Sequence, residues 1–170
     1  IFQGTKEDDV VGAIRQHLQG SGIPVEFSKG EWGPGQQEIN IRYADALQMA
    51  DRHTLYKHIA KEVAWGQEKS ISFMAKWDAE EAGSSCHVHM GLRDVDGGAS
   101  AFVGEDAEAL PGSHLECTPT FRHFVGGMLT HARDITLCLA TTVNSYKRFQ
   151  PDTFAPTAIA WSYDNRTSGF

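Results

Sequence analysis

Val10, Val11, Ile14 and Leu18 recur on one stripe and predict a helix over residues 7–18, with Asp8 and Asp9 near the positive end of its dipole. Gly20 and Gly22 are placed to end it. Residues 23–27 read as a short strand. After the turn signal Pro34-Gly35, the polar residues Glu38, Asn40 and Arg42 alternate with Ile39, Ile41 and Tyr43, which is the period of a strand with one wet face and one buried face. Leu47, Met49, Ala50, Leu55, Ile59, Val63 and Ala64 then predict a long helix over residues 44–65 on one face of the sheet.

Residues 69–76 read as another strand and 77–83 as an acidic loop. Over 85–92 the alternation returns, with Cys86, Val88, Met90 and Leu92 on one side and His87 and His89 on the other. A hairpin-type turn follows at Asp94-Val95-Asp96-Gly97-Gly98. Residues 99–117 read as loop. A second long helix is predicted over 119–139, with Phe121, Phe124, Val125, Met128, Leu129, Ile135 and Leu139 as its buried stripe. Each of Gly126 and Gly127 costs that helix about 1 kcal/mol against alanine, which predicts a close approach of another backbone. Residues 141–170 mix loop signals with a short apolar run.

The 170 residues suffice for one substantial core, and one domain is the default expectation. A net charge of -7 without a basic cluster beyond Lys147-Arg148 argues against a nucleic acid or an anionic membrane as partner. Any anionic substrate then needs local cations or metals. Cys86, Cys117 and Cys138 are odd in number and widely spaced, a poor disulfide framework, which reads as a reducing cytoplasm. No apolar run approaches the roughly 20 residues of a membrane span.

Candidate chemistry begins at the Pro34-Gly35 turn, which brings Glu31 back toward Glu38. Two carboxylates that close repel unless a proton or a cation sits between them, so the pair favours one raised pKa or a hard divalent metal such as Mg²⁺ or Mn²⁺. The alternative is a Glu38 that lines a wet strand face and a Glu31 in a loop. His87 and His89, two apart on one strand, share a face on which one can bind a metal and the other an anion or a second metal; the alternative is a pair of exposed histidines. His53, His58, His123 and His131 lie on helices without such pairing and read as solvated or packing residues.

Asn144-Ser145-Tyr146-Lys147-Arg148 is a dense polar cluster between an apolar helix and the proline-bounded loop 151–156. Its guanidinium suits bidentate recognition of a carboxylate or phosphate, as does that of Arg166, for which a solvated surface arginine is the alternative. Carboxylates, a histidine pair and two arginines together describe phosphoryl transfer onto an anionic substrate. No Walker loop or Rossmann fingerprint is present, so any ATP site is of another kind.

Several ordered blocks carry a resemblance: Glu31-x-x-Pro34-Gly35-Gln36-x-Glu38, Ala50-Asp51 with Tyr56-Lys57, Phe73-Met74-x-Lys76, Gly83-Ser84-x-x-His87-x-His89, Asn144 to Arg148 with Ala155-Pro156, and Asn165-Arg166. In this order they resemble the catalytic region of the glutamine synthetase family over about residues 23–170. The resemblance implies an α+β fold, a curved antiparallel sheet backed by the long helices at 44–65 and 119–139. Residues 1–170 would be part of that catalytic domain, with an N-terminal β-grasp domain and a C-terminal remainder outside it. It also implies an ATP-dependent glutamate-amine ligase that works through a γ-glutamyl phosphate, in a dodecamer-like homo-oligomer.

By the same resemblance, Glu31 and Glu38 would hold one divalent metal, Mg²⁺ or Mn²⁺, and His87 a second. His89 would contact a phosphate, and Tyr43 would lie against adenine. Gly83 would offer its backbone to the amino group of glutamate, Arg148 would pair with the α-carboxylate, and Arg166 would stabilise the transferred phosphoryl group.

The chain also departs from the family pattern. Lys76-Trp77, Ser85 and Gly91 differ on the nucleotide side. Phe154 stands before Ala155-Pro156 where glutamine synthetases have a glutamate that binds and deprotonates ammonium, and a phenyl ring takes no proton. The chain is therefore more similar to the divergent branch that joins glutamate to organic amines instead of ammonia. With the flanking metal-binding glutamates outside these residues, the 170-residue piece alone is expected to be inactive. Two other readings compete: a hydrolase with His87 and His89 on zinc, and a non-catalytic structural relative.

Overall fold

The computed structural model describes residues 2–110, 114–163, 165 and 167–170, the side chains of residues 2 and 3 excepted. Two compact units make up the chain, Ile1–Ser84 and Ser85–Phe170.

In the first unit a five-residue helix α1 (Phe2–Lys6) precedes α2 (Asp8–Gly20), on which Val10, Val11, Ile14 and Leu18 are buried as the periodicity predicts. What ends α2 is backbone chemistry. The Gly22 N–H donates to the Gln19 carbonyl at 3.1 Å and the Ile23 N–H to the Leu18 carbonyl at 2.9 Å. That is a Schellman closure, and it needs the left-handed backbone that Gly22 adopts at φ +76°. Leu18 and Ile23, tied by that hydrogen bond, are both essentially fully buried in one core cluster.

The chain then forms an antiparallel hairpin of β1 (Val25–Gly30) and β2 (Gln37–Ile41), with Lys29 opposite Glu38 and Gly30 opposite Gln37. Ile39 and Ile41 pack onto the core, which confirms the face assigned from the alternation. The strand predicted at 23–27 runs on to Gly30. Arg15 of α2 donates to Ser28 Oγ at 2.6 Å and pairs with Asp8 at 2.9 Å, fixing helix to strand.

Helix α3 (Ala46–Gly66) closes the unit through Ala60 and Ala64, with Tyr56, Ile59 and Val63 against the same core. Only its second half is covered: Leu47 and Leu55, counted in the predicted stripe, are exposed. It too ends in a Schellman closure, from the Glu68 N–H to the Trp65 carbonyl at 3.0 Å and from the Lys69 N–H to the Ala64 carbonyl at 2.9 Å. Here a glutamate occupies the left-handed position, φ +58°. Residues 69–76, expected as a strand, join no ladder among the described residues. Ile71 and Phe73 instead pack on the core, Phe73 edge-on to Tyr56 at 5.6 Å.

The second unit is built around α4 (Pro119–Leu139), at the predicted bounds. Buried Thr118 caps it, accepting from the Phe121 N–H at 3.3 Å and donating to the Ala101 carbonyl at 2.6 Å, with Pro119 at the first helical position. Phe102 packs on Phe121 and Phe124 at 5.4 and 5.3 Å, and Trp161 lies edge-on to Phe121. Two expectations fail here. Leu139 is 66% exposed, and nothing lies within 4 Å of a Cβ built on Gly126 or Gly127, so the expected close backbone approach is absent among the described residues.

Residues 99–117, read as loop, contain a two-residue antiparallel pair, β3 (Glu108–Ala109) with β4 (Glu116–Cys117). The expected strand at 85–92 pairs with no named strand among the described residues, and its apolar side is open, Val88 being 67% exposed. The turn after it does form: the Gly97 N–H reaches the Asp94 carbonyl at 3.0 Å and Arg93 bridges Ser100. A short helix α5 (Val143–Lys147), unforeseen, carries the polar cluster of the sequence behind a Thr142–Ser145 capping box. Helices with small antiparallel sheets give the expected α+β class. Among the described residues no helix is long and apolar enough to cross a membrane.

Candidate active-site residues

The residues singled out by chemistry divide between the units: Glu31, Glu38, Tyr43 and Gly83 in the first, His87, His89, Arg148 and Phe154 in the second. Arg166 lies outside the described residues.

In the first unit, the hairpin brings Glu31 and Glu38 together. The Glu31 N–H donates to the Gln36 carbonyl at 2.9 Å, the Gln36 N–H to the Gly33 carbonyl at 3.0 Å, and Gly35 takes φ +67° at the tip. Both carboxylates converge on one cation, the Lys29 ammonium, 2.7 Å from Glu31 Oε1 and 3.5 Å from Glu38 Oε2. Asn40 Nδ2 donates to the other oxygen of Glu38 at 2.7 Å.

The cation between the pair here is the Lys29 ammonium, a side chain that neither expectation named. Partial burial pushes the Glu38 carboxyl up, but the hydrogen bond from Asn40 and the Lys29 charge outweigh it and hold its pKa below the usual value. The hydrogen bond to Glu31, partly opposed by desolvation, raises that of Lys29. A raised carboxyl pKa, one of the two expectations, is not what Glu38 shows.

Gly83 is held by the same hairpin. Gln36 Nε2 donates to the Gly83 carbonyl and to Ser84 Oγ, each at 3.0 Å, while its Oε1 accepts from the Gly33 N–H at 3.0 Å. The Ser84 N–H reaches the Ala75 carbonyl at 2.8 Å. Tyr43, just beyond β2, is three-quarters exposed, its ring open to a planar ligand.

In the second unit His87 and His89 are exposed, and His87 Nε2 lies 3.3 Å from Ser85 Oγ. Arg148 ends α5, and burial lowers its pKa from the ordinary guanidinium value. A half-buried guanidinium is the kind of group that gains most from a carboxylate or phosphate. Phe154 is 78% exposed beside buried Ala155. Among the described residues no group of three or more His, Cys, Asp or Glu converges as a metal site.

Three residues of the first unit escaped the sequence reading. Lys29 lay beyond the strand end set at residue 27, although Lys29 and Glu31 at i and i+2 are a strand-face signal. Gln36 stood inside the Glu31–Glu38 block without a role of its own. Asn40 was placed only by alternation.

The chain as a whole is similar to several known proteins. The family model of the glutamine synthetase catalytic domain matches residues 3–170. A gamma-glutamylethanolamide synthetase of Streptomyces coelicolor is 46% identical over 91% of this chain and 31% of its own length. A glutamine synthetase of Mycolicibacterium smegmatis is 40% identical over 94% of this chain and 35% of its own. Among solved structures, a GmaS complex with ADP superposes at a TM-score of 0.85 with 33% identity, over 97% of this chain and 38% of that one. The chain thus spans about a third of the length of each.

Proposed function

Since the chain belongs to the glutamine synthetase family, we propose that the protein it comes from is an ATP-dependent glutamate-amine ligase. The observation that carries the reading is the convergence of Glu31 and Glu38 on a single cation at the tip of a hairpin. The chemistry requires such a place. A carboxylate is a poor electrophile, so the γ-carboxylate of glutamate first attacks the terminal phosphorus of ATP, releasing ADP. The amine nitrogen then attacks the γ-carbonyl of the acyl phosphate, loses a proton and expels phosphate.

Within that reaction Arg148, partly withdrawn from water, pairs with the α-carboxylate of glutamate, and the Gly83 carbonyl, already oriented by Gln36, receives its amino group. Tyr43 presents its exposed ring to adenine. His89 donates to a phosphate, and Arg166 stabilises the phosphoryl group in transfer. Glu31 and Glu38 would hold one divalent metal, Mg²⁺ or Mn²⁺, and His87 would bind a second. The hard carboxylate oxygens gathered on an ammonium fit such an ion. When bound, it would neutralise phosphate charge. Three free thiols fit a cytoplasmic protein, and a dodecamer-like homo-oligomer is the assembly this reading carries.

Phe154 narrows the acceptor. An exposed phenyl ring cannot deprotonate ammonium but offers apolar contact to the carbon of an organic amine. The test is ATP-dependent ADP release by the full-length protein with ammonia, methylamine, ethanolamine and larger amines. Faster turnover with an organic amine is expected. Preference for ammonia would remove the amine assignment, and no ADP release with any acceptor would remove the ligase itself.

A further inference from the structure

Lys29 has no part in the reaction outlined above, yet it is the group around which two of the candidate metal ligands, Glu31 and Glu38, are arranged. It sits directly opposite Glu38 in the hairpin register and two positions before Glu31. Its ammonium is shared between Glu31 Oε1 at 2.7 Å and Glu38 Oε2 at 3.5 Å. The second oxygen of Glu38 is taken by Asn40. The side on which Glu31 and Glu38 face each other, where one ion could touch both, is the side the ammonium occupies.

We propose that Lys29 is a resident counter-cation of the Glu31–Glu38 pair, which a divalent ion must displace, so that this lysine sets how tightly the pair takes metal. The inference rests on the reading of Glu31 and Glu38 as metal ligands. A divalent ion about 2.0–2.6 Å from those oxygens would meet the ammonium at close range, and the two cations repel. They cannot share one oxygen face, so binding is an exchange. The lysine can make way: its side chain is 45% exposed on a flexible four-carbon stem. Until it does, it keeps two carboxylates together that would otherwise push the hairpin tip apart. A lysine with only a structural role would weaken metal binding when removed; a competing cation strengthens it.

The experiment is a Mn²⁺ titration followed by electron paramagnetic resonance on the full-length protein and on its Lys29→Met, Lys29→Arg, Glu31→Gln and Glu38→Gln variants. Lys29→Met, which keeps the stem and loses the charge, is expected to bind Mn²⁺ about tenfold more tightly than the parent. Lys29→Arg should stay near the parent. Without metal, Lys29→Met should melt below the parent, and adding Glu31→Gln should remove that difference. Equal or weaker Mn²⁺ binding by Lys29→Met overturns the inference. If Glu31→Gln and Glu38→Gln weaken Mn²⁺ binding while Lys29→Met does not tighten it, the ligand assignment stands and only the role of Lys29 falls. If neither glutamine variant changes binding, or no variant binds at all, both fall.

Discussion

Asn40 Nδ2 donates to Glu38 Oε1 at 2.7 Å, and that bond is the largest of the influences that pull the Glu38 carboxyl below its ordinary value of 4.5. Asn40→Ala should therefore move the Glu38 pKa upward, read by side-chain carboxyl ¹³C titration. The sign for stability follows from the direction. A folded-state pKa below the unfolded one adds stability that is complete above about 4.5 and is lost as pH falls through the folded value. Urea midpoints measured on the acid side should fall less steeply in Asn40→Ala and Glu38→Gln than in the parent.

Glu68 holds a left-handed backbone, φ +58°, at the closure of α3. A side chain there carries a steric penalty that glycine escapes, partly offset by the greater freedom glycine has when unfolded. Glu68→Gly should raise stability by about 0.5–1 kcal/mol. In a urea melt the midpoint should rise with an unchanged slope.

Leu18 and Leu47 are the same residue type in two predicted helical stripes, but the first is 0% exposed and the second 78%. Leu18→Ala should cost about 2–5 kcal/mol through lost transfer energy and the cavity left behind. Leu47→Ala should stay within about 0.5 kcal/mol. Paired denaturation curves of the isolated chain check both.

Phe154 bears on acceptor choice. In the full-length protein, Phe154→Glu should lower the ratio of kcat/KM for an organic amine to that for ammonia by about tenfold, roughly 1.4 kcal/mol of differential transition-state binding. An unchanged ratio would place the amine elsewhere.

The sequence was legible where burial and backbone period agree. Val10, Ile14 and Leu18 gave α2, Ile39 and Ile41 gave the inner face of β2, and the apolar stripe that begins at Phe121 gave α4. It misled where an apolar pattern has no covering element in the structure described. Leu47, Leu139 and the Val88 side of residues 85–92 follow the right period yet stay exposed. Gly126 and Gly127 suggested a close neighbour that is absent among the described residues. Among the chemical residues, the turn alone put Glu31 near Glu38. The identity of the cation between them depended on hairpin register, which a strand end misplaced by three residues conceals.

Gln36 and Gly83 are 47 positions apart and are joined by one side-chain amide, whose carbonyl end simultaneously grips the backbone at Gly33. A carbonyl oxygen has two lone pairs, and the amide uses one. Gly83 can thus welcome a second donor, such as a substrate ammonium, with its grip on the hairpin intact. The loop that would read the amino acid and the bend that gathers the acidic pair are therefore tied together by one side chain.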